Sequence, residues 1–115
     1  MTAKECVRRT LARESAPYIP LGLYVVDYDT IEAVIGRKTY VRNKIACQIA
    51  FWEGRRDEVV ESWKRDTVEF FTKLDCCDII TFKEAAIAPP KDYDPPRVKR
   101  LDDATWQEAN GTIWR

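Results

Sequence analysis

The sequence contains no histidine. That removes Ser-His-Asp and Cys-His catalysis, and every zinc site built on imidazole. Glycine is scarce. The four residues Gly22, Gly36, Gly54 and Gly111 lie too far apart to build a phosphate-cradling loop, so Walker A and dinucleotide fingerprints are excluded. No apolar run reaches the roughly 18 residues that a membrane span needs, and no membrane partner is expected. Lys4, Arg8 and Arg9 are not followed by an apolar stretch with a small-residue cleavage site. No secretory leader is therefore expected, and the chain reads as cytoplasmic. Charge of one sign is also missing: 19 Lys and Arg face 19 Asp and Glu, for a net charge of zero. Non-specific binding to phosphate needs a positive excess, so no nucleic-acid partner is expected.

What is present describes a single folded domain. The chain has 115 residues, of which 45% are hydrophobic and 33% charged. That composition excludes a disordered tail. A chain of this size hides about two-thirds of its unfolded surface, enough for one modest core. It is too short for a complete (β/α)8 barrel, which needs about 200 residues or more. The four cysteines, Cys6, Cys47, Cys76 and Cys77, contain no CxxC pair. In a cytosol they stay reduced. The adjacent Cys76 and Cys77 invite a metal or redox reading, but neighbouring side chains on an extended strand point to opposite faces. The plain expectation is small buried apolar residues.

The periodicity predicts four helices. Residues 3 to about 14 form the first, with Val7 and Leu11 four apart. Pro17 and Pro20 end it. Leu21 to Val26 reads as a short strand or a buried extended segment. Asp29 and Glu32 have capping-box spacing for a brief second helix, which buries Ile31, Val34 and Ile35 and stops at Gly36. A third helix is expected from about Thr39 to Trp52, with Val41, Ile45, Ile49 and Trp52 on one face. Asp57 opens a long fourth helix to about Leu74, burying Val60, Trp63, Phe70 or Phe71, and Leu74. Glu61 with Arg65, and Glu69 with Lys73, are i,i+4 pairs expected on its solvated face.

The remainder reads as extended chain. Cys76 to Phe82 is nearly continuous in apolar residues, as in a strand covered on both faces. Residues 89–96 hold four of the six prolines and form a stiff loop. Arg97 to Leu101 is a candidate strand. Asn110-Gly111 signals a hairpin pairing Thr105-Trp106 with Thr112 to Trp114.

Three segments carry a resemblance: Tyr28 to Arg37, Gly54 to Ile80 (GRRDEVVESWKRDTVEFFTKLDCCDII) and Thr105 to Arg115 (TWQEANGTIWR). Together they resemble the N-terminal region of uroporphyrinogen-decarboxylase-like proteins, the superfamily that includes the cobamide-dependent methyltransferases. The resemblance implies a helix-rich, incomplete N-terminal portion of a TIM (β/α)8 barrel. Cys76 to Phe82 would be its one barrel strand, and the loop and C-terminal β-hairpin would lie over the barrel mouth, where such enzymes place their chemistry. It implies zinc and a corrinoid for the full-length family, with zinc activating a thiolate or ether oxygen for methyl exchange. The arginine-bearing RQAGR-type segment of the true decarboxylases does not occur here, and the His and Cys zinc ligands of the methyltransferase branch lie farther downstream than residue 115.

No catalytic residue and no metal ligand is assigned within the chain. The candidate substrate-binding residues are Lys83 and Glu84, at the C-terminal end of the expected barrel strand, and Asp78 inside it. For Lys83 and Glu84 the plain alternative is a surface ion pair. For Asp78 it is a carboxylate accepting backbone hydrogen bonds. Asp92 and Asp94, flanking Tyr93, read as solvated turn residues, and the four tryptophans as core or interface anchors. The expected function is an N-terminal segment of a uroporphyrinogen-decarboxylase-like protein of the corrinoid methyltransferase type, catalytically incomplete alone. Its partners would be a missing C-terminal barrel portion or a second copy, and a corrinoid protein. The alternative is a small, non-enzymatic α+β module that self-associates through its apolar strand.

Overall fold

The computed structural model describes residues 1–81 and 88–115. Helix α1 (Ala3–Leu11) is opened by a capping box, in which Thr2 and Glu5 satisfy each other's free amides. It buries Cys6, while Leu11 is exposed. Helix α2 (Tyr28–Ile35) buries Ile31 and Ile35 and stops at Gly36, whose φ of 76° is the left-handed geometry that glycine adopts freely. The expected Asp29–Glu32 capping box does not form. Asp27 occupies the cap position, and Glu32 instead accepts from the Thr39 amide and Lys38 Nζ.

Helix α3 (Lys44–Trp52) is shorter than its apolar pattern predicts. Arg42 takes a left-handed φ of 60°, and the Asn43 side chain then caps the Ala46 amide at 3.2 Å. The stretch from Thr39 to Val41 runs beside α4 instead of joining the helix: the Tyr40 amide donates to Ser62 Oγ at 3.0 Å. The buried face of α3 is Cys47 and Ala50, and Ile45 points outward. Helix α4 (Arg56–Leu74) is the spine of the molecule. Asp57 and Glu58 sit in its first turn, where the helix dipole favours negative charge. It buries Val59, Val60, Trp63 and Phe70. Lys73 and Glu69 pair at 3.1 Å, whereas Glu61 pairs with Lys64 and Arg65 with Asp66. The core is the junction of α2, α3 and α4 with Val41.

After Asp75, which closes α4 in a left-handed conformation (φ 45°), the expected strand does not appear over its described part, 76–81. One parallel bridge joins Gly22 and Ile79, and the Asp78 and Ile79 amides both reach the Leu21 carbonyl, at 2.8 and 3.2 Å. Strand geometry persists only where a partner satisfies successive amides. Here Leu21 to Val26 provides one point of pairing and forms no strand of its own. Gly22 permits the approach: a Cβ there would lie 3.3 Å from Ile79 Cβ.

The regular sheet lies instead at the C-terminus. Strands β1 (Val98–Asp102), β2 (Thr105–Glu108) and β3 (Ile113–Trp114) form an antiparallel meander in the order β1-β2-β3. The Asn110-Gly111 turn sets the register Trp106 opposite Trp114 and Gln107 opposite Ile113, with Gly111 at φ 92°. Among the described residues, four helices and a separate three-stranded antiparallel sheet make the fold mixed α and β, in an α+β arrangement. Among the described residues no helix is long and apolar enough to cross a membrane.

The molecule is elongated, 58 × 28 × 22 Å, with a radius of gyration of 18.4 Å. A compact chain of this length would have about 13 Å. Its accessible surface is 8290 Å², against about 6,500 Å² for a folded monomer of this mass. The surplus is partly apolar: Ile19 is 90% exposed and Tyr24 68%, and Leu21, Val25 and Ile79 are also exposed.

Candidate functional site

A cleft of about 790 Å³ opens between α3 and the sheet. Helix α3 contributes Ile45, Ile49 and Trp52, helix α4 contributes Trp63, and the sheet contributes Trp106 and Trp114. Trp52 meets both indoles of the sheet. Trp52 lies 6.0 Å from Trp106 and packs edge-on against Trp114 at 5.8 Å. Asn110-Gly111 creates this cluster, because the turn places Trp106 and Trp114 directly across from each other. Arg100 stacks on Trp106 at 5.5 Å. Arg42, Lys44, Asp103 and Arg115 bring charge to the lining. Trp52 Nε1 is buried without a hydrogen-bond acceptor among the described residues.

Tyr40 organises the inner end. Its carbonyl accepts from Trp63 Nε1 at 3.1 Å and from Cys47 Sγ at 3.0 Å. Its hydroxyl donates to Glu58 at 2.9 Å and accepts from Arg55 at 2.7 Å. Burial, then the Glu58 carboxylate, pushes the Tyr40 phenol above its ordinary range, against the opposing pull of Arg55. The bond from Tyr40 holds Glu58 below the usual carboxylate range. Arg56 Nε clamps the Pro89 carbonyl at 2.7 Å and so fixes the proline-rich loop to the start of α4. In size and lining the cleft matches a small-molecule or peptide-binding cavity. At its inner end Tyr40, Glu58 and Arg55 bond to one another, and the rest of the lining is mainly apolar and aromatic.

Of the expected site residues, Asp78 does not line the cleft. Lys83 and Glu84 lie outside the described residues. Asp78 is a tether between segments: Oδ1 accepts from the Tyr18 hydroxyl and Oδ2 from the Leu21 amide, both at 3.0 Å. That bond to Asp78, with partial desolvation, pushes the Tyr18 phenol up to about 12. Asp92 and Asp94 are exposed, while Tyr93 between them turns inward onto Phe51.

The residue that the sequence pattern hid is Asp66. It is wholly buried, yet sits between Trp63 and Phe70 on the apolar stripe of α4. Ser62 Oγ and Thr39 Oγ1 donate to Oδ2 at 2.7 and 2.8 Å, and Arg65 and Arg37 to Oδ1. Burial pushes this carboxyl up, but the donors outweigh it and hold it down at about 2. A carboxylate at i+3 from one core aromatic and i−4 from the next was the available signal.

The zinc implied by the resemblance does not fit this chain's donors. Cys6 Sγ and Cys47 Sγ are buried and engaged by the Tyr18 and Tyr40 carbonyls. Among the described residues no three His, Cys, Asp or Glu side chains converge. With no histidine, the chain also offers no imidazole to the cobalt of a corrinoid. No family model, curated protein or solved structure matches this chain.

Proposed function

We propose that this chain is the N-terminal helical and hairpin portion of a uroporphyrinogen-decarboxylase-like protein of the corrinoid-dependent methyltransferase type, acting as scaffold and lid and performing no chemistry alone. In this reading Cys76 to Phe82 is the one barrel strand, paired by further barrel strands in the full-length protein. The hairpin with Trp106 and Trp114 covers the barrel mouth, and Lys83, Glu84 and Asp78 are the candidate substrate-binding residues. The partners are the remaining barrel portion and a corrinoid protein, and the setting is the cytoplasm.

The observation that carries the reading is the surface surplus, 8290 Å² against about 6,500 Å². It accompanies an isolated parallel bridge, Gly22 to Ile79, at which Ile79 and the adjacent Leu21 are exposed apolar residues. A parallel pair with bare faces is unstable alone and is ordinarily covered on both sides. The test is the reading frame beyond Arg115 and its product. The expected product carries His and Cys ligands, binds zinc and transfers methyl groups to a corrinoid, while residues 1–115 alone do neither. A product without such ligands, or methyl transfer by the isolated chain, overturns the reading.

A second reading, a non-enzymatic α+β module that self-associates, is favoured by one feature. The three strands pair with one another in an open meander that docks through its own aromatics, with no barrel strand in it.

A further inference from the structure

Adjacent cysteines on a strand cannot share a ligand, because their side chains diverge. That argument fails for Cys76 and Cys77. The left-handed Asp75 turns the chain off α4 just before them, and neither belongs to a strand. Their sulfurs lie 3.7 Å apart. A tetrahedral centre with metal–sulfur bonds of about 2.3 Å spans two sulfurs about 3.8 Å apart. The pair is thus already spaced for one soft centre to bridge both.

Access separates these two thiols from the other two. Cys76 is exposed and Cys77 half-buried, whereas Cys6 and Cys47 are buried and hydrogen-bonded to carbonyls. Of the two carboxylates that flank the pair, Asp78 is occupied by Tyr18 and Leu21. No third donor joins the pair among the described residues, which disfavours a four-coordinate zinc and leaves a two-sulfur site.

We propose that Cys76 and Cys77 form a bidentate thiol site for a soft, thiophilic centre of the trivalent arsenical class. With a hydrated arylarsine oxide, two arsenic–oxygen bonds break and two arsenic–sulfur bonds form. The two thiol protons leave with the departing oxygens as two molecules of water. Arsenic stays trivalent, so neither oxidant nor reductant is required. The second sulfur binds intramolecularly, and its effective concentration multiplies the affinity of the first.

The experiment titrates the reduced, full chain with phenylarsine oxide and follows intact mass. A single adduct is expected, mapping to the peptide that contains Cys76 and Cys77, reversed by a small dithiol and resistant to the same concentration of a monothiol. Cys76→Ser and Cys77→Ser should each weaken binding about 100-fold or more. Circular dichroism of both variants should retain the helices, because Cys76 is exposed and neither residue lies in a helix. An adduct mapping to Cys6 or Cys47, equal affinity in Cys76→Ser, ready removal by monothiol, or no adduct on the folded reduced chain would overturn the proposal.

Discussion

Arg37 Nη2 lies 2.5 Å from Asp66 Oδ1, so the turn after α2 is pinned to the middle of α4 through a carboxylate with no exposed surface. Arg37 also reaches Glu69 one turn further along α4, and Thr39 approaches the other oxygen of Asp66. The α2–α4 packing is therefore fastened by charge-assisted bonds as well as by Ile31, Ile35 and Phe70. Asp66→Ala would leave Ser62, Thr39 and Arg37 without their common acceptor. A loss of about 3 kcal/mol is expected, measured as a lower urea midpoint with an unchanged slope. A variant within 0.5 kcal/mol of the parent (roughly the level of an ordinary surface change) would mean the pair is dispensable.

The same carboxyl sets the acid limit. Its folded pKa of about 2 lies below the ordinary 3.8. The stabilisation is thus fully present above the unfolded value and is lost as pH falls from about 4 toward 2. The shift corresponds to about 2 kcal/mol. Urea midpoints across that window should fall more steeply for the parent than for Asp66→Asn. Parallel slopes would argue that other carboxylates dominate acid unfolding.

Tyr18 and Asp78 give a second titration of opposite sense. The Asp78 bond favours the protonated phenol, so Tyr18 ionises near 12 instead of 10. This contribution is present below pH 10 and disappears as the pH rises through 12. The phenolate absorbance lost in Tyr18→Phe isolates this residue from the other four tyrosines. Asp78→Asn should return it toward 10. An unshifted Tyr18 in the parent would show that the tether between residues 18–24 and 76–81 does not persist in solution.

How much of this was legible in the sequence depended on whether a signal was local. Gly36 and Asn110-Gly111 act through their own backbone, and both behave as their residue types dictate. Helix α4 was legible because Val60, Trp63, Phe70 and Leu74 keep its period on either side of Asp66. Helix α3 was overextended because Val41 continues the apolar spacing of Ile45 and Ile49, although Arg42 and Asn43 break the backbone between them. Cys76 to Phe82 has the composition of a strand, but composition supplies no partner, and over the described residues 76–81 a single bridge, Gly22 to Ile79, is all the ladder that forms. Asp66 and the cleft depend on contacts 20 to 60 residues apart, which spacing along the chain does not encode.

The exposed row Ile19, Leu21, Tyr24 and Val25 leads to a prediction about association. A standard interface covers about 800 Å² per partner, and the surplus surface is of that order or larger. Light scattering of the isolated chain at micromolar concentration should show species larger than a monomer. Ile19→Lys with Tyr24→Lys should shift the distribution to monomer without changing helix content, because both side chains are exposed. A parent that stays monomeric would remove the need for a covering partner.

The hairpin's attachment is the most specific consequence of the aromatic cleft. The sheet meets the helical body through Trp52, and Trp106 and Trp114 grip that ring from two sides. Within the sheet, β2 is held by backbone pairing to β1 and β3, but a small meander is marginal without a packing face. Trp52→Ala should therefore uncouple the two parts. The loss expected is about 3 kcal/mol for a large aromatic, confined to the sheet because Trp52 ends α3 and Ala50 and Cys47 hold that helix to the core. Hydrogen exchange can read this directly: Gln107 and Glu108 amides should lose protection while those of Trp63 to Phe70 keep theirs. Uniform loss in both regions would mean that the hairpin and helices unfold as one unit. Unchanged protection would mean that the meander stands without the cluster.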